Sequence, residues 1–239
     1  MPLKGLIFDF DGLILETEVP GFTAWQEKFI LHGYSFTHED WKKAIGTGPT
    51  AYDPGEHLSQ LTNRRLDPQI LRDEVIFRSN QILSSQPILP GVLDFIHTAK
   101  GAGLVLAIAS SSNRSWVNGH LARLGLMKFF KTVCTADDVS AVKPDPELYL
   151  LALTNIGLSA SEVIAFEDSP NGISAAKAAG IYCIAIPNEI TRSMNISDAD
   201  RIVHSFLDLT LDGLILGHRI RCEMIYNCGY NKAKKHDQF

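Results

Sequence analysis

An α/β fold, a Rossmann-like doubly wound parallel sheet with an inserted α-helical cap domain, is predicted by three features of the sequence. Short branched apolar runs alternate with helix-length amphipathic stretches, the runs are bounded by Gly, Asp, Ser or Pro, and one long segment after the first run carries helical patterns alone. The first run, Leu3–Phe8, reads as a buried parallel strand, because an unbroken apolar run suits a strand covered on both faces. From about Thr17 to Ile88 no convincing strand appears. Helical patterns lie there near Pro20–His32, Glu39–Ala44, Asp53–Gln60 and Pro68–Leu83, and Pro20 suits a first turn, where a missing N–H costs nothing. Residues 17–88 are therefore assigned to the cap domain, with Leu89-Pro90-Gly91 as the return hinge. Further strands at Leu104–Ala109, Val163–Phe166 and Tyr182–Ile186 alternate with helices at Val92–Ala102, Trp116–Leu124, Pro146–Ile156 and Gly172–Ala179. Residues 1–16 and 89–215 make up the core domain. Beyond, residues 216–239 form a C-terminal tail with five Lys/Arg against two acids and no apolar period, read as a poorly packed appendage.

Composition narrows the function classes. A chain of 239 residues with 45% hydrophobic content can bury a substantial core, so disorder is not expected. The 22 basic and 27 acidic residues leave a net charge of −5, with no broad footprint for nucleic acid. Cys134, Cys183, Cys222 and Cys228 show no CxxC pair or metal-ligand spacing, which suits a reducing compartment. The apolar run at the N-terminus is cut short by Asp9, and no segment approaches the ~20 apolar residues that span a bilayer. The expectation is a cytoplasmic protein with no membrane or nucleic-acid partner.

The chemistry gathers at strand ends. In IFDFDG the first strand closes on Asp9 and Asp11, and open α/β sheets bind ligands outside the carboxyl ends of their strands. The next strand ends in Ser110, Ser111, Ser112 and Asn113, hydroxyl and amide groups at a helix start, where unpaired N–H groups favour an anion. Lys143 precedes Pro144 in an extended loop, and the strand VIAF delivers Glu167 and Asp168, a pair suited to a hard cation. Each has a plainer explanation alone: acids form turns, Ser and Asn cap helices, and loop lysines are usually solvated.

Taken together and in order, DFDG, ASSS, KPDP and FEDSPNGISAAKAAG resemble the four motifs of the haloacid dehalogenase-like hydrolase superfamily over nearly all of residues 3 to 214. The insertion after the first motif is similar to the cap of the branch holding β-phosphoglucomutase and many small-metabolite phosphatases. The resemblance implies a phosphatase acting on a small phosphorylated metabolite through an aspartyl-phosphate. It implies Asp9 as nucleophile, Asp11 as general acid and base, and Ser110 and Lys143 on the phosphoryl oxygens. Mg²⁺ would be held by Asp9, the Asp11 carbonyl, Glu167 and Asp168, with Ser111, Asn113 and Thr47 facing substrate. Asp11 and the Glu167-Asp168 pair argue against displacement of halide from carbon, which needs neither.

Substrate choice falls to the cap, where Phe22, Trp25, Thr47, Tyr52 and Arg78 are candidates, although Phe22 and Trp25 serve a cap core as readily. A phosphomutase would share the four motifs but needs a cap cation for its bisphosphate. The Gly46-Thr47-Gly48-Pro49 loop has no arginine, and Gly21 stands where such mutases present a histidine. A non-catalytic binding protein would be expected to have lost a motif, and none is missing. A monomer is expected, since the cap covers the site.

Overall fold

A computed structural model describes residues 2–45 and 52–218. The strands are β1 (Gly5–Phe8), β2 (Val105–Ala109), β3 (Thr132–Cys134), β4 (Val163–Glu167), β5 (Tyr182–Ala185) and β6 (Arg201–Ile202). They form one parallel sheet in the order β3-β2-β1-β4-β5-β6, in which Phe8 lies opposite both Ile108 and Phe166. The strand order reverses direction at β1 and β4, the topological switch point where open α/β sheets bind ligands. Four strands were expected and six are present. β3 has three residues and β6 two exposed ones at the sheet edge, too short for an apolar run to mark them.

Period-two alternation sends successive side chains of each strand into separate cores. Leu6, Phe8, Ile164, Phe166 and Ile184 face one apolar cluster; Ile7, Val163, Ala165, Cys183 and Ala185 face the other. On the first face Phe8 stacks on Phe166 at 5.1 Å, and Phe95 of α5 (Val92–Gly101) and Phe206 close the group, 5.3 Å apart. The opposite face is built from small residues. Ala107, Ala109, Ala165 and Ala185 let α7 (Glu147–Ile156) and α8 (Pro170–Ala178) pack closely there. The remaining core helix, α6 (Arg114–Arg123), starts at Asn113, whose side chain accepts from the Trp116 N–H.

Between β1 and α5 the described residues form four helices: α1 (Glu18–Leu31), α2 (His38–Lys42), α3 (Pro54–Leu61) and α4 (Pro68–Leu83). The last two begin with an aspartate cap followed by proline, Asp53-Pro54 and Asp67-Pro68, which satisfies free N–H groups and pre-sets the first turn. These helices share a third apolar cluster around Trp25, Phe29, Phe36 and Leu58, to which the loop after β5 adds Ile190. The chain crosses between the two clusters twice, side by side: Leu15 bridges Ile88, and Leu89 N–H donates to the Ile14 carbonyl at 3.0 Å. At the C-terminal end the chain is helical over 211–218 with Leu211, Leu214 and His218 buried, so the tail boundary expected at 216 falls inside a helix. The rest of that tail, 219–239, lies outside the described residues. No helix among the described residues is long and apolar enough to cross a membrane.

Phe95 is 5% exposed and touches three other aromatic rings on the face away from the strand-end acids. Phe95→Ala should lower unfolding free energy by about 3–5 kcal/mol, read from urea midpoints at constant m.

Candidate active site

Residues separated by more than a hundred positions meet at the carboxyl edge of β1 and β4 because those strands pair in register. Asp9 follows Phe8, Glu167 ends β4 with Asp168 after it, and Lys143 from the loop that precedes α7 pairs with Asp9 and Glu167. The Lys143 ammonium donates to Asp9 Oδ1 at 2.5 Å and to Glu167 Oε1 at 2.6 Å, and all three side chains are buried. Burial opposes the charged form of Lys143, but Asp9 and Glu167 outweigh it and hold the ammonium protonated. Burial pushes the Asp9 carboxyl up to about 8, helped by repulsion from Glu167 and Asp11 and resisted by Lys143. Asp168 is raised as well, by burial first and then by Asp9 and Glu167.

Asp9, Glu167 and Asp168 each present a carboxylate oxygen, and these lie within 4.8 Å of one another. Hard oxygen donors in this number suit Mg²⁺, which keeps waters to complete its shell. Three buried carboxylates against one ammonium leave uncompensated negative charge, and Glu167 Oε2 is buried with no hydrogen-bond partner. A divalent cation fits that imbalance. The Asp11 side chain stands outside the cluster, so a part for Asp11 in holding the metal falls to its carbonyl.

The Asp11 carboxylate turns toward the β2–α6 loop instead. Oδ2 accepts from Ser112 Oγ at 2.7 Å and from Ser110 Oγ at 3.2 Å, and Oδ1 accepts from the Trp116 indole N–H at 2.8 Å. Ser110, expected to face a phosphoryl group, is thus in contact with Asp11 in this state. Ser111 lines the same cavity with its hydroxyl unpartnered. Asn113 does not line it; its side-chain oxygen is engaged in capping α6.

The cavity, about 270 Å³, is bounded by Asp9, Asp11, Lys143 and Asp168 below and by Glu18, Trp25 and Trp41 of the cap above. Of the cap candidates, Trp25 serves both cavity and cap core. Phe22 packs inward against Phe36 and His38, Tyr52 hydrogen-bonds His57 in an adjoining cavity, and Arg78 pairs outward with Glu27 on the surface. Thr47 lies outside the described residues.

Several residues of the site were not anticipated. Tyr149 of α7 donates to Glu167 Oε1 at 2.5 Å, and Asn188, beyond β5, donates to Asp168 Oδ2 at 2.7 Å. Both orient carboxylates that would otherwise face one another freely. Gly12 has φ of +74° and lies so close that a Cβ would meet Asp168 Oδ2 at 2.5 Å and Asn188 Nδ2 at 2.6 Å. Trp116 is the further addition. Only the strand ends themselves pointed to function in the sequence, and Trp116 and Tyr149 sit on helices where an aromatic residue reads as core.

A family profile described as haloacid dehalogenase-like hydrolase matches residues 6–186. The Bacillus subtilis protein YhcW is 42% identical over 216 residues, covering 90% of this chain and 97% of that protein. The fructose-1-phosphate phosphatase YqaB of Escherichia coli is 31% identical over 183 residues, covering 76% of this chain and 95% of its own. Among solved structures, a variant of CbbY from Rhodobacter sphaeroides in complex with xylulose-(1,5)bisphosphate is 28% identical with a TM-score of 0.74, covering 89% of this chain and 99% of that one.

The Trp116 indole is a donor with no acceptor, so its bond to Asp11 orients the carboxylate. Trp116→Phe removes that donor and keeps the ring. Hydrogen bonds to charged groups contribute about 1.5–3 kcal/mol, so kcat/KM for an alkyl phosphate should fall roughly 10- to 100-fold. The fall for 4-nitrophenyl phosphate, whose leaving group needs little protonation, should be smaller; equal losses would mean that Trp116 acts only through packing.

Proposed function

We propose that this chain, which belongs to the haloacid dehalogenase-like hydrolase family, is a Mg²⁺-dependent phosphatase of a small phosphorylated metabolite, a sugar phosphate or a close relative. The observation that carries this reading is the shared edge of β1 and β4. There Asp9, Glu167, Asp168 and Lys143 are buried together, with Asp11 across the same cavity.

Asp9 is the nucleophile. Its carboxylate oxygen forms a bond to phosphorus as the bond from phosphorus to the leaving oxygen breaks, and Asp11 gives that oxygen its proton. Water then attacks the aspartyl-phosphate, Asp11 takes the water's proton, and the bond from phosphorus to Asp9 breaks to release phosphate. Asp11 must be protonated for one half-reaction and ionised for the other, so its partners cannot hold either form too firmly. A phosphoryl group that recruits the Ser110 hydroxyl would free Asp11 Oδ2 of one donor and leave Ser112 and Trp116 to orient it. Lys143 offsets the repulsion between an anionic nucleophile and an anionic substrate, in a buried site where such charge is strongly felt. Bound through Asp9, Asp168, Glu167 and the Asp11 carbonyl, Mg²⁺ would neutralise phosphoryl oxygens during transfer.

Phosphatase is favoured over phosphomutase by the cap. Gly21 occupies the position where a mutase would couple closure to Asp11, and it has no side chain to do so.

Chelation by EDTA should abolish hydrolysis of 4-nitrophenyl phosphate, and added Mg²⁺ should restore it; full activity in EDTA would exclude the metal's role. Asp9→Asn keeps the shape and removes the nucleophile, so turnover should fall by several powers of ten with an unchanged melting transition. A variant keeping more than about a tenth of the rate contradicts covalent catalysis. Lys143→Ala should cost roughly 10²- to 10³-fold in kcat.

A further inference from the structure

Polar atoms on the cap side of the cavity are left without protein partners. Thr17 Oγ1, Glu18 Oε2 and Trp41 Nε1 are buried and make no hydrogen bond, and Ser111 Oγ on the core side is in the same position. All four residues line the cavity. Buried polar groups are nearly always paired, since an unpaired one has lost its water with nothing in return. Four orphans around one space mark the positions of a ligand's polar atoms. Glu18 and Trp41 are neighbours: burial, with repulsion from Asp11, Glu16 and Asp9, pushes the Glu18 carboxyl up to about 8, the nearby indole only partly offsets this, and Oε2 and Nε1 both remain unsatisfied. They present an oxygen and an N–H donor side by side, which is the complement of a hydroxyl.

Trp41 can stand there because residue 21 has no side chain. A Cβ on Gly21 would lie 2.9 Å from Cζ2 and 3.2 Å from Cη2 of the Trp41 ring. Gly21 follows Glu18 by three positions on α1, so both occupy one helix face. The three tryptophans of the chain, Trp25, Trp41 and Trp116, all line the cavity. Flat indole faces accept the C–H faces of a polyol while its hydroxyls meet the polar atoms.

The charge pattern is equally specific. Among the described residues lining the cavity Lys143 is the one cation, and it is already bonded to Asp9 and Glu167. In the cap, Arg72 pairs with Asp53 and Arg78 with Glu27, and the sequence over 46–51, GTGPTA, carries no charge. A second anionic group on the substrate would be stripped of water with no countercharge to meet it.

We propose that Gly21, Trp41 and Glu18 form a hydroxyl-reading wall that selects the phosphate monoester of an uncharged polyol and rejects substrates with a second phosphate or a carboxylate. The assignment rests on the phosphatase reading, and the test separates the two. Wild-type protein with Mg²⁺ is assayed on 4-nitrophenyl phosphate, a hexitol monophosphate, the matching hexitol bisphosphate and the phosphorylated aldonic acid. The hexitol monophosphate should exceed both charged analogues in kcat/KM by about tenfold or more, as one unpaired charge demands. Glu18→Met deletes the carboxyl at similar length, and Gly21→Ala displaces the Trp41 ring. Each should reduce kcat/KM for the hexitol ester roughly tenfold more than for 4-nitrophenyl phosphate, which has no hydroxyl to read. Equal losses on the two substrates, charged analogues turned over within about threefold of the neutral ester, or inertness toward the hexitol ester alone would overturn the wall. No turnover of any phosphate ester would remove the phosphatase reading instead. Binding then decides: tryptophan fluorescence of the Asp9→Asn protein in Mg²⁺ should saturate with hexitol monophosphate and not with the bisphosphate, and the reverse order or no change would overturn the wall.

Discussion

Three carboxylates, Asp9, Glu167 and Asp168, are buried at the end of an apolar sheet with one ammonium among them, and most of the site's other features answer that imbalance. Removing charge from water is costly unless partners replace the lost hydration. Lys143 is shared between two of the acids, Tyr149 supplies a hydroxyl to Glu167, and Asn188 an amide to Asp168. These bonds orient the carboxylates without neutralising them. Asp9 and Asp168 therefore keep raised pKa values, the mark of a negative potential that a divalent cation would relieve.

Such a site requires a scaffold that stays ordered while one edge is electrostatically unfavourable. Aromatic packing on one sheet face and alanine packing on the other provide it, the inner strands contributing alternately to both. β1 and β4 are fully buried along their described lengths, so neither can slip without moving an entire apolar set out of its core. Their fixed register places Asp9 beside Asp168, and Gly12 keeps the space between them clear.

The cap answers a different requirement. Its apolar cluster is its own, joined to the core side by Ile190 and by the paired crossings at Leu15 and Leu89. That leaves Trp25, Trp41 and Glu18 to face the cavity while Phe22 and Phe29 hold the helices together. The core presents charged groups to the cavity, whereas the cap presents indoles and unpaired polar atoms, a division set by which side chains each cluster can spare from its own packing.

Much of this was determined by the sequence alone. Apolar runs with branched residues marked β1, β2, β4 and β5, proline and aspartate marked the cap helices, and the strand-end acids with Lys143 stood out because charge following a buried strand has no packing role. Hydrophobic period and turn chemistry are local properties, readable one segment at a time. Other features were decided by tertiary structure. β3 and β6 are too short for their own pattern to mark them, and they form where neighbouring strands offer them ladders. Asn113 looked like a ligand group and serves as a helix cap, Arg78 looked inward and pairs with Glu27, and Trp116, read only as the start of a helix, reaches Asp11. For Arg78 and Trp116 the deciding bond joins positions distant in the chain, whereas the Asn113 bond is a local cap that its residue type favours. Gly21 carries the same lesson: the sequence shows that no side chain stands there, and the tertiary structure adds that the Trp41 ring fills the space it leaves.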